Sequence, residues 1–537
     1  MPSSKNNHLI YHIFIDRFSK ESFIAKDECC CSLLNENDTG GFYGGTIAGV
    51  TKRLEDGWFC QLGVNMLLIS APYEQIRGWV PSAGKTFKHY GYHGYYALDY
   101  TTVDARFGTE QDLRDLVDKA HRKGIAVLMD IVMNHPGYLD LQTLHELDIK
   151  ALHSDWLMAS PDDYERFVDR ESPALKDWWG SDWVRFALPG YLQGGNDDHT
   201  MLLHDLPDFR TESEQSVTLP WFLKNKVNTK AMDLPHTTVR GYLIHWLTDW
   251  IRDYGIDGFR CDSAKHVEPE AWLELKDKAI QAKQDWKNDH PDHPPCADGF
   301  WMMGEAFNHG IERDHYYDHG FDALINFDFQ RDIKHLVSLD AIYESYAARV
   351  LEHPEALFVS YISSHDTHLH DRKTLKEGAS ALMLAPGGVL VLYGDETGRR
   401  PGPYMKEDPA QATRSPMNWD SVETDVLIHW RRLGQFRAQH AAIAHGAHLK
   451  LAECPYTFAR LDAHGDRIVA ALQANGEVSL PVGEVFGEGE YVHDAYSGWR
   501  GQVMHGSVRL DGKGVVLIEA DAGPTEGRGR AGIGGCT

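Results

Sequence analysis

Arg260 and Asp262 stand two residues apart in the segment Ile256-Asp-Gly-Phe-Arg-Cys-Asp-Ser-Ala-Lys-His266. The segment opens as a short apolar strand, and on a strand residues i and i+2 project to one face. A guanidinium and a carboxylate therefore share one side at the strand's C-terminal end. An adjacent cation lowers a carboxylate's pKa and keeps it ionised. An ionised carboxylate with a fixed partner is what a nucleophile needs. Taken alone, the pair reads equally well as a structural ion pair. Other strand-like runs end in similar groups: Asp130 with Asn134-His135, then Glu305, then His365-Asp366. One acid at a strand end is ordinarily a helix cap or an ion-pair partner. Four ends of this kind point instead to acids and histidines gathered on one rim.

The elements that must position them follow from the apolar pattern. Strand-like runs fall at 9–15, 64–69, 125–131, 256–261, 300–305, 322–327, 357–363 and 388–393. Helical segments lie between them, at 46–62, 112–123, 242–254 and 270–287. Continuously apolar strands alternating with helices argue for a parallel sheet covered on both faces. Eight strands are the number of a closed (β/α)8 TIM barrel, an α/β fold that builds its sites at the strands' C-terminal ends. The first barrel part runs over 1–135 and the second over 236–444. Residues 136–235 break the rhythm with a long polar, Trp-rich stretch, read as an inserted subdomain of functional weight. Short alternating runs at 468–472, 478–482 and 514–518, set between Gly, Asp and Asn, predict a C-terminal antiparallel β domain over 445–520. Residues 521–537 are rich in Gly and Arg and read as a flexible tail.

Composition narrows the function classes. The chain has 537 residues and a formal charge of −26, which repels nucleic acid and anionic membrane and suits a neutral substrate. Its 15 Trp, 23 Tyr and 21 Phe serve core packing or stacking on sugar faces. No stretch approaches the roughly 18 apolar residues of a membrane span. The N-terminal residues show no leader pattern, so a cytoplasmic location is expected. A periplasmic or secreted one follows if a leader has been removed. Eight cysteines, with Cys29, Cys30 and Cys31 contiguous, make neither a disulfide scaffold nor a zinc pattern.

The motifs Asp130-Ile-Val-Met-Asn-His135, Gly258-Phe-Arg-Cys-Asp-Ser-Ala-Lys-His266, Gly304-Glu305 and Ser364-His-Asp366 resemble, in order and spacing, those of the α-amylase family of glycoside hydrolases (family 13 type). Leu206-Pro-Asp208 resembles the family's extra motif in the inserted domain. Tyr92-His-Gly-Tyr95 resembles the loop lining its sugar site. The likeness spans about residues 8–520, and is greatest to the periplasmic α-amylases of Gram-negative bacteria. One departure is Cys261, where the family carries a small aliphatic residue. A thiol on the barrel's inner wall would make the enzyme sensitive to oxidation.

The resemblance implies roles. Asp262 would be the nucleophile, Glu305 the general acid and base, and Asp366 the residue that binds hydroxyls of the distorted sugar. Arg260 would stay beside Asp262, with Asp130 orienting Arg260 or the site itself. His135 and His365 would donate to sugar hydroxyls, and His93 and Tyr95 would touch or stack on the same sugar. Lys265 and His266 would line the leaving-group side, which favours a hydrolase of α-1,4-glucans such as starch, glycogen or maltodextrin over relatives that take sucrose or short disaccharides; the family resemblance implies endo action. The resemblance also offers Ca2+, held by Asn134, Asp208 and the backbone carbonyl of His266, with Asp197 and Asp198 as further candidates. Two other readings share the fold: a cyclodextrin- or maltose-acting hydrolase, and a transglycosylase. Thr413-Arg-Ser-Pro-Met-Asn-Trp419 resembles a segment of disaccharide-acting relatives. A non-catalytic carbohydrate-binding barrel is the reading from another class, and the presence of all three acids opposes it.

Overall fold

A computed structural model describes residues 7–20, 40–294, 299–334, 339–403, 405–406 and 408–521. The contiguous cysteines at 29–31, and the expected tail beyond Asp521, lie outside the described residues. Eight strands close into one parallel barrel: β1 (Leu9–Ile13), β2 (Met66–Ile69), β3 (Ala126–Ile131), β4 (Gly258–Cys261), β5 (Trp301–Gly304), β6 (Ala323–Asn326), β7 (Leu357–Ser360) and β8 (Gly388–Leu392). Their order around the barrel is β1-β8-β7-β6-β5-β4-β3-β2.

The strands are apolar throughout because both faces are covered. Alternate residues divide between two cores. Ile10, Leu68, Leu128, Met303, Val359 and Leu390 pack together inside the barrel. Their neighbours Tyr11, Leu67, Val127, Met302 and Phe358 join the larger core shared with the helices. Gly258 leaves room inside, where an added Cβ would lie 2.4 Å from the Trp301 carbonyl oxygen. Cys261 belongs to the outer core, not the inner wall expected of it. The pleat sends Arg260 inward and therefore Cys261 outward. Burial pushes its thiol well above the usual range.

Several expected strands run short at the rim. The run 9–15 leaves the strand after Ile13, and Ile15–Phe18 form a helical turn. The run 357–363 ends at Ser360. Beyond these points the backbone turns to build loops over the barrel mouth. The expected 46–62 helix is two, Ile47–Glu55 and Trp58–Gln61, parted at Gly57 with φ 77. The helix Val239–Tyr254 starts on a Thr238 side-chain cap and stops at Gly255. Gly255 has φ 74, and a Cβ there would meet Trp286 at 2.4 Å.

The aromatic loop after β2 carries two small antiparallel pairs, 73–75 with 97–103 and 79–81 with 88–90. The stretch 136–235 has little regular structure: a helix Leu141–Glu146, short 3-10 turns, a two-residue ladder of Val184–Arg185 with Asp208–Phe209, and a helix Trp221–Asn225. Three of its tryptophans pack inward, while Trp221 is exposed. Trp178, Trp179 and Trp183 are buried, and Trp183 stacks on Trp246 of the 239–254 helix at 5.6 Å.

The C-terminal sheet holds β9 (Ala447–Ala452), β10 (Tyr456–Leu461), β11 (Arg467–Pro481), β12 (Tyr491–Asp494), β13 (Arg500–Gln502) and β14 (Ser507–Ala520), in the order β9-β10-β11-β14-β12-β13. The runs at 468–472 and 478–482 are one strand, not two. A register shift between Leu472 and Ala474, with Gln473 at φ 58, absorbs the irregularity without ending the pairing.

Candidate active site

The C-terminal ends of β3, β4, β5 and β7 converge on one buried guanidinium. Arg260 is 1 % exposed, so its charge is satisfied only by what surrounds it. Its Nη1 donates to Asp130 Oδ1 at 2.9 Å and Oδ2 at 3.1 Å, and to Asp262 Oδ1 at 2.7 Å. Its Nη2 lies 3.1 Å from Glu305 Oε2. The register explains the meeting, since Arg260 sits beside Asp130 on β3 and Met303 on β5. Asp262 and Glu305 then project just past the strand ends, each 8 % exposed.

Ser263 completes the join. Its hydroxyl donates to Asp262 Oδ2 at 2.8 Å, and its backbone N–H donates to Glu305 Oε2 at 3.0 Å. It does so from the left-handed region, φ 51, which for a non-glycine residue is strained. One guanidinium and one serine thus clamp two carboxyls side by side. Cations are in short supply here. Burial, with the charges of Asp262 and Asp366, pushes the Glu305 carboxyl up to about 8 despite Arg260. Burial likewise raises Asp130 to about 7.

Asp366 is treated in the opposite way. His365 Nε2 lies 2.8 Å from its Oδ2, and Arg414 Nη2 donates to its Oδ1 at 2.9 Å. Burial works against the charged form, yet His365 and Arg414 hold this carboxyl well below its usual range. Tyr95 links the two groups of acids. Its hydroxyl donates to Asp130 Oδ2 at 2.8 Å and lies 2.8 Å from His365 Nε2. Its ring packs against the imidazoles of His365 and His93.

Burial weighs against the charged form of the site's histidines. Burial lowers His93, His135 and His365 from the ordinary value of 6.5, with His135 at about 4. His93 Nδ1 accepts the Tyr95 backbone N–H at 3.0 Å, which leaves its proton on Nε2. That buried Nε2 has no partner among the described residues.

Sequence reasoning brought Asp130, His135, Arg260, Asp262, Glu305, His365 and Asp366 to one place, with His93 and Tyr95 beside them. It did not bring Arg414, His12 or Ser263. Arg414 lies in Thr413-Arg-Ser-Pro-Met-Asn-Trp419, noted for resemblance alone. His12 read as one more residue of a buried strand, yet it lines the same cavity as Arg260, Glu305 and Asp366. Lys265 and His266 sit against the long loop. Lys265 Nζ is 3.3 Å from Asp198 Oδ1, and His266 Nδ1 is 2.8 Å from the Asp198 carbonyl oxygen.

The alpha amylase catalytic-domain model matches residues 12–442. The chain is 42 % identical over 497 residues to the periplasmic alpha-amylase of Escherichia coli, covering 88 % of this chain and 73 % of that protein. The chain belongs to the α-amylase family of glycoside hydrolases. It is 24 % identical to a maltogenic alpha-amylase of Bacillus acidopullulyticus, covering 88 % of this chain and 68 % of that one. Among solved structures an Anoxybacillus alpha-amylase superposes with a TM-score of 0.66 at 22 % identity, over 98 % of this chain and 100 % of that chain. That likeness bears on the fold.

Family membership raises the question of calcium, and the seam between the long loop and the barrel can be tested for it. Asn134 and Asp208 meet there, since the Asn134 carbonyl accepts from Phe209 N at 2.9 Å. Asp208 is paired with Arg185 Nη1 at 2.7 Å, and Arg185 Nη2 also reaches Glu212 at 2.5 Å. Thr211 donates to Glu268 Oε2 at 2.7 Å. Glu212 Oε2 and Glu268 Oε1 are buried without hydrogen-bond partners. Burial, with Glu212 and Glu268 nearby, pushes Asp208 up to about 8 against the pull of Arg185. The seam is thus rich in hard oxygen donors and short of positive charge, which fits a cation such as Ca2+. Among the described residues no three His, Cys, Asp or Glu side chains are grouped as a metal cluster. An ion here would draw on backbone and amide oxygens as well.

Proposed function

We propose that this chain is a retaining hydrolase of α-1,4-glucosidic bonds in starch, glycogen or maltodextrins, acting within the glucan chain. The observation that carries the reading is the pair Asp262 and Glu305, held side by side on Arg260 and Ser263 with Glu305 pushed up to about 8. Retaining glycosidases need two carboxyls roughly 5–5.5 Å apart, one ionised and one protonated. Asp262 attacks the anomeric carbon while Glu305 gives its proton to the departing glycosidic oxygen. The C–O bond to the leaving sugar breaks, and a covalent glycosyl-enzyme forms on Asp262. Glu305, now a carboxylate, takes a proton from water. The water oxygen attacks the same carbon and releases Asp262. Two inversions give retention.

The other groups stabilise the oxocarbenium-like transition state. Asp366 stays ionised and binds two sugar hydroxyls. The imidazoles of His93, His135 and His365 serve as donors there. The acids outnumber the cations, which favours positive charge developing at the anomeric carbon. Lys265 and His266, steadied by Asp198, stand on the leaving-group side. Ca2+ held by Asn134, Asp208 and the His266 carbonyl would tie the long loop to the barrel. Its role would be structural, and the chemical steps run through the side chains alone.

A second reading, action on cyclodextrin or maltose or glucan transfer, draws support from Thr413-Arg-Ser-Pro-Met-Asn-Trp419, which resembles a segment of disaccharide-acting relatives. It also draws on a 24 % identical cyclomaltodextrinase that this chain covers for 68 % of its length. No described helix is long and apolar enough to cross a membrane. The E. coli relative bears a periplasmic name, and we place this chain there too. Fractionation of expressing cells tests that.

Chromatography of products from soluble starch and from maltose decides between the two substrate readings. Malto-oligosaccharides from starch with maltose untouched are expected. Maltose consumed with starch intact overturns the endo-acting reading in favour of the second. A chelator should lower the thermal midpoint, and an unchanged midpoint removes calcium.

A further inference from the structure

A groove of about 330 Å³ opens between the hairpin 79–90 and the segment 141–164, and it shares no lining residue with the catalytic cavity. It falls in the range of about 300–1,000 Å³ usual for ligand clefts. Its walls carry Trp79, Tyr90, Trp156 and Tyr164, with Lys88, Gln142 and Glu146 among them. Beyond Trp156 the same short turn exposes Leu157 by 81 % and Met158 by 78 %. Large apolar side chains left in water beside a concave aromatic surface mark a place where something binds.

The groove is built, not a gap in packing. Trp79 and Tyr90 face each other across paired strands. The Tyr164 hydroxyl donates to the Trp79 carbonyl at 2.9 Å and accepts the Leu141 backbone N–H at 3.1 Å. Buried Asp140 accepts from Gly78 N and Thr143 N, each at 2.9 Å. Both walls are therefore fixed to one another before any ligand arrives, which lowers the entropy lost on binding. Lys88 Nζ sits 4.6 Å from the Trp79 ring centroid and brings donors to the rim. Glu146 is matched by Arg77 at 3.0 Å, so the lining carries no strong excess of either sign. The half-buried rings of Trp79, Tyr90 and Trp156, with a balanced polar rim, suit a neutral polyhydroxylated chain better than an ion. The same hairpin leads into the catalytic loop, through Tyr96 with its hydroxyl 3.2 Å from His89 Nδ1.

We propose that this groove is a second carbohydrate site, which holds an α-glucan chain away from the bond being cut. The inference rests on the α-glucan reading above and extends it from short oligosaccharides to polymer. The test is native electrophoresis of the whole chain in gels containing amylopectin, beside hydrolysis of a short chromogenic maltotrioside. Trp156→Ala should weaken retardation by amylopectin about tenfold, roughly one stacking contact. It should leave maltotrioside turnover within about twofold of wild type. Lys88→Ala, a rim change that removes no core contact, should weaken retardation in the same direction. It keeps the test open if Trp156→Ala lowers the thermal midpoint. Equal retardation of wild type and both variants overturns the proposal. So does a loss of maltotrioside turnover as large as the loss on amylopectin. Wild type that hydrolyses starch but is not retarded overturns the groove alone. Wild type that neither hydrolyses nor binds any α-glucan overturns both readings.

Discussion

At the N-terminal end of β4, Asp257 meets Lys283 Nζ at 2.8 Å and His121 Nε2 at 2.8 Å, and accepts the Val127 backbone N–H at 2.8 Å. At the other end of the same strand, Asp262 shares one guanidinium with Asp130 and Glu305. Asp257 and Glu305 are both deeply buried, and burial alone raises both. Lys283 and His121 reverse that rise for Asp257, whose carboxyl falls far below the usual range. Glu305 is left at about 8. The difference lies in the number of cations per acid. A structural site matches its charges, while a site that must hold and then release a proton leaves one acid short of a partner.

Substitutions at the two ends should separate these roles. Asp262→Asn should cut kcat by about 10⁴-fold or more while the thermal midpoint holds. Glu305→Gln should cost about 10²–10⁴-fold on starch and recover partly on substrates with good leaving groups. Single-turnover rates check both. Wild-type rates in Asp262→Asn would erase the contrast between the two ends of β4. The rise of Glu305 also sets a pH limit, because the acid must be protonated. Activity should fall as pH rises through its pKa, and Glu305→Gln should lose that limb.

At the other end, Lys283→Met should leave the buried Asp257 carboxylate with His121 but without its lysine, and cost about 3 kcal/mol of stability. The kcat of the folded fraction should not change. Urea unfolding beside active-site titration measures the two separately. Asp257 is depressed, so the stability it adds is present above its unfolded value and lost as pH falls below about 4. The Lys283 variant should lose that acid dependence.

Arg414→Gln tests the exception within the catalytic end, since Asp366 there does have matching partners. Its removal should raise the Asp366 pKa and move the acid limb of kcat/KM to higher pH, with a loss of about tenfold at neutral pH. A uniform loss with an unmoved limb would mark Arg414 as a packing residue only.

The smallest effect is expected at the seam with the C-terminal sheet. His440 contacts Asp466 at 2.8 Å and Glu519 at 2.5 Å. Burial lowers its pKa, but the two acids overcome it and raise His440 from 6.5 to about 9. Its stabilisation is complete below about pH 6.5 and is lost as pH rises through about 9. His440→Gln should flatten the stability profile across that window, read by thermal midpoints at stepped pH.

The sequence by itself determined the barrel and the acids at its rim. Continuous apolar runs of strand length admit few alternatives, and a period of two puts Arg260 and Asp262 on one face whatever surrounds them. It also placed Cys261 on the opposite face, had the same period been applied to it. The strand ends were less legible, because Phe14 and Tyr361 are as apolar as the strands they follow. The length of β11 was hidden as well. A bulge at Gln473 lets pairing cross residues that locally read as a turn.

Only the tertiary structure decided who partners whom. Arg414 reaches Asp366 across 48 residues, and no periodicity connects a loop after β8 to one after β7. The rise of Glu305 belongs to no local pattern either. It arises because closing the barrel removes water from several carboxyls and supplies one guanidinium among them, and desolvation depends on the whole enclosure.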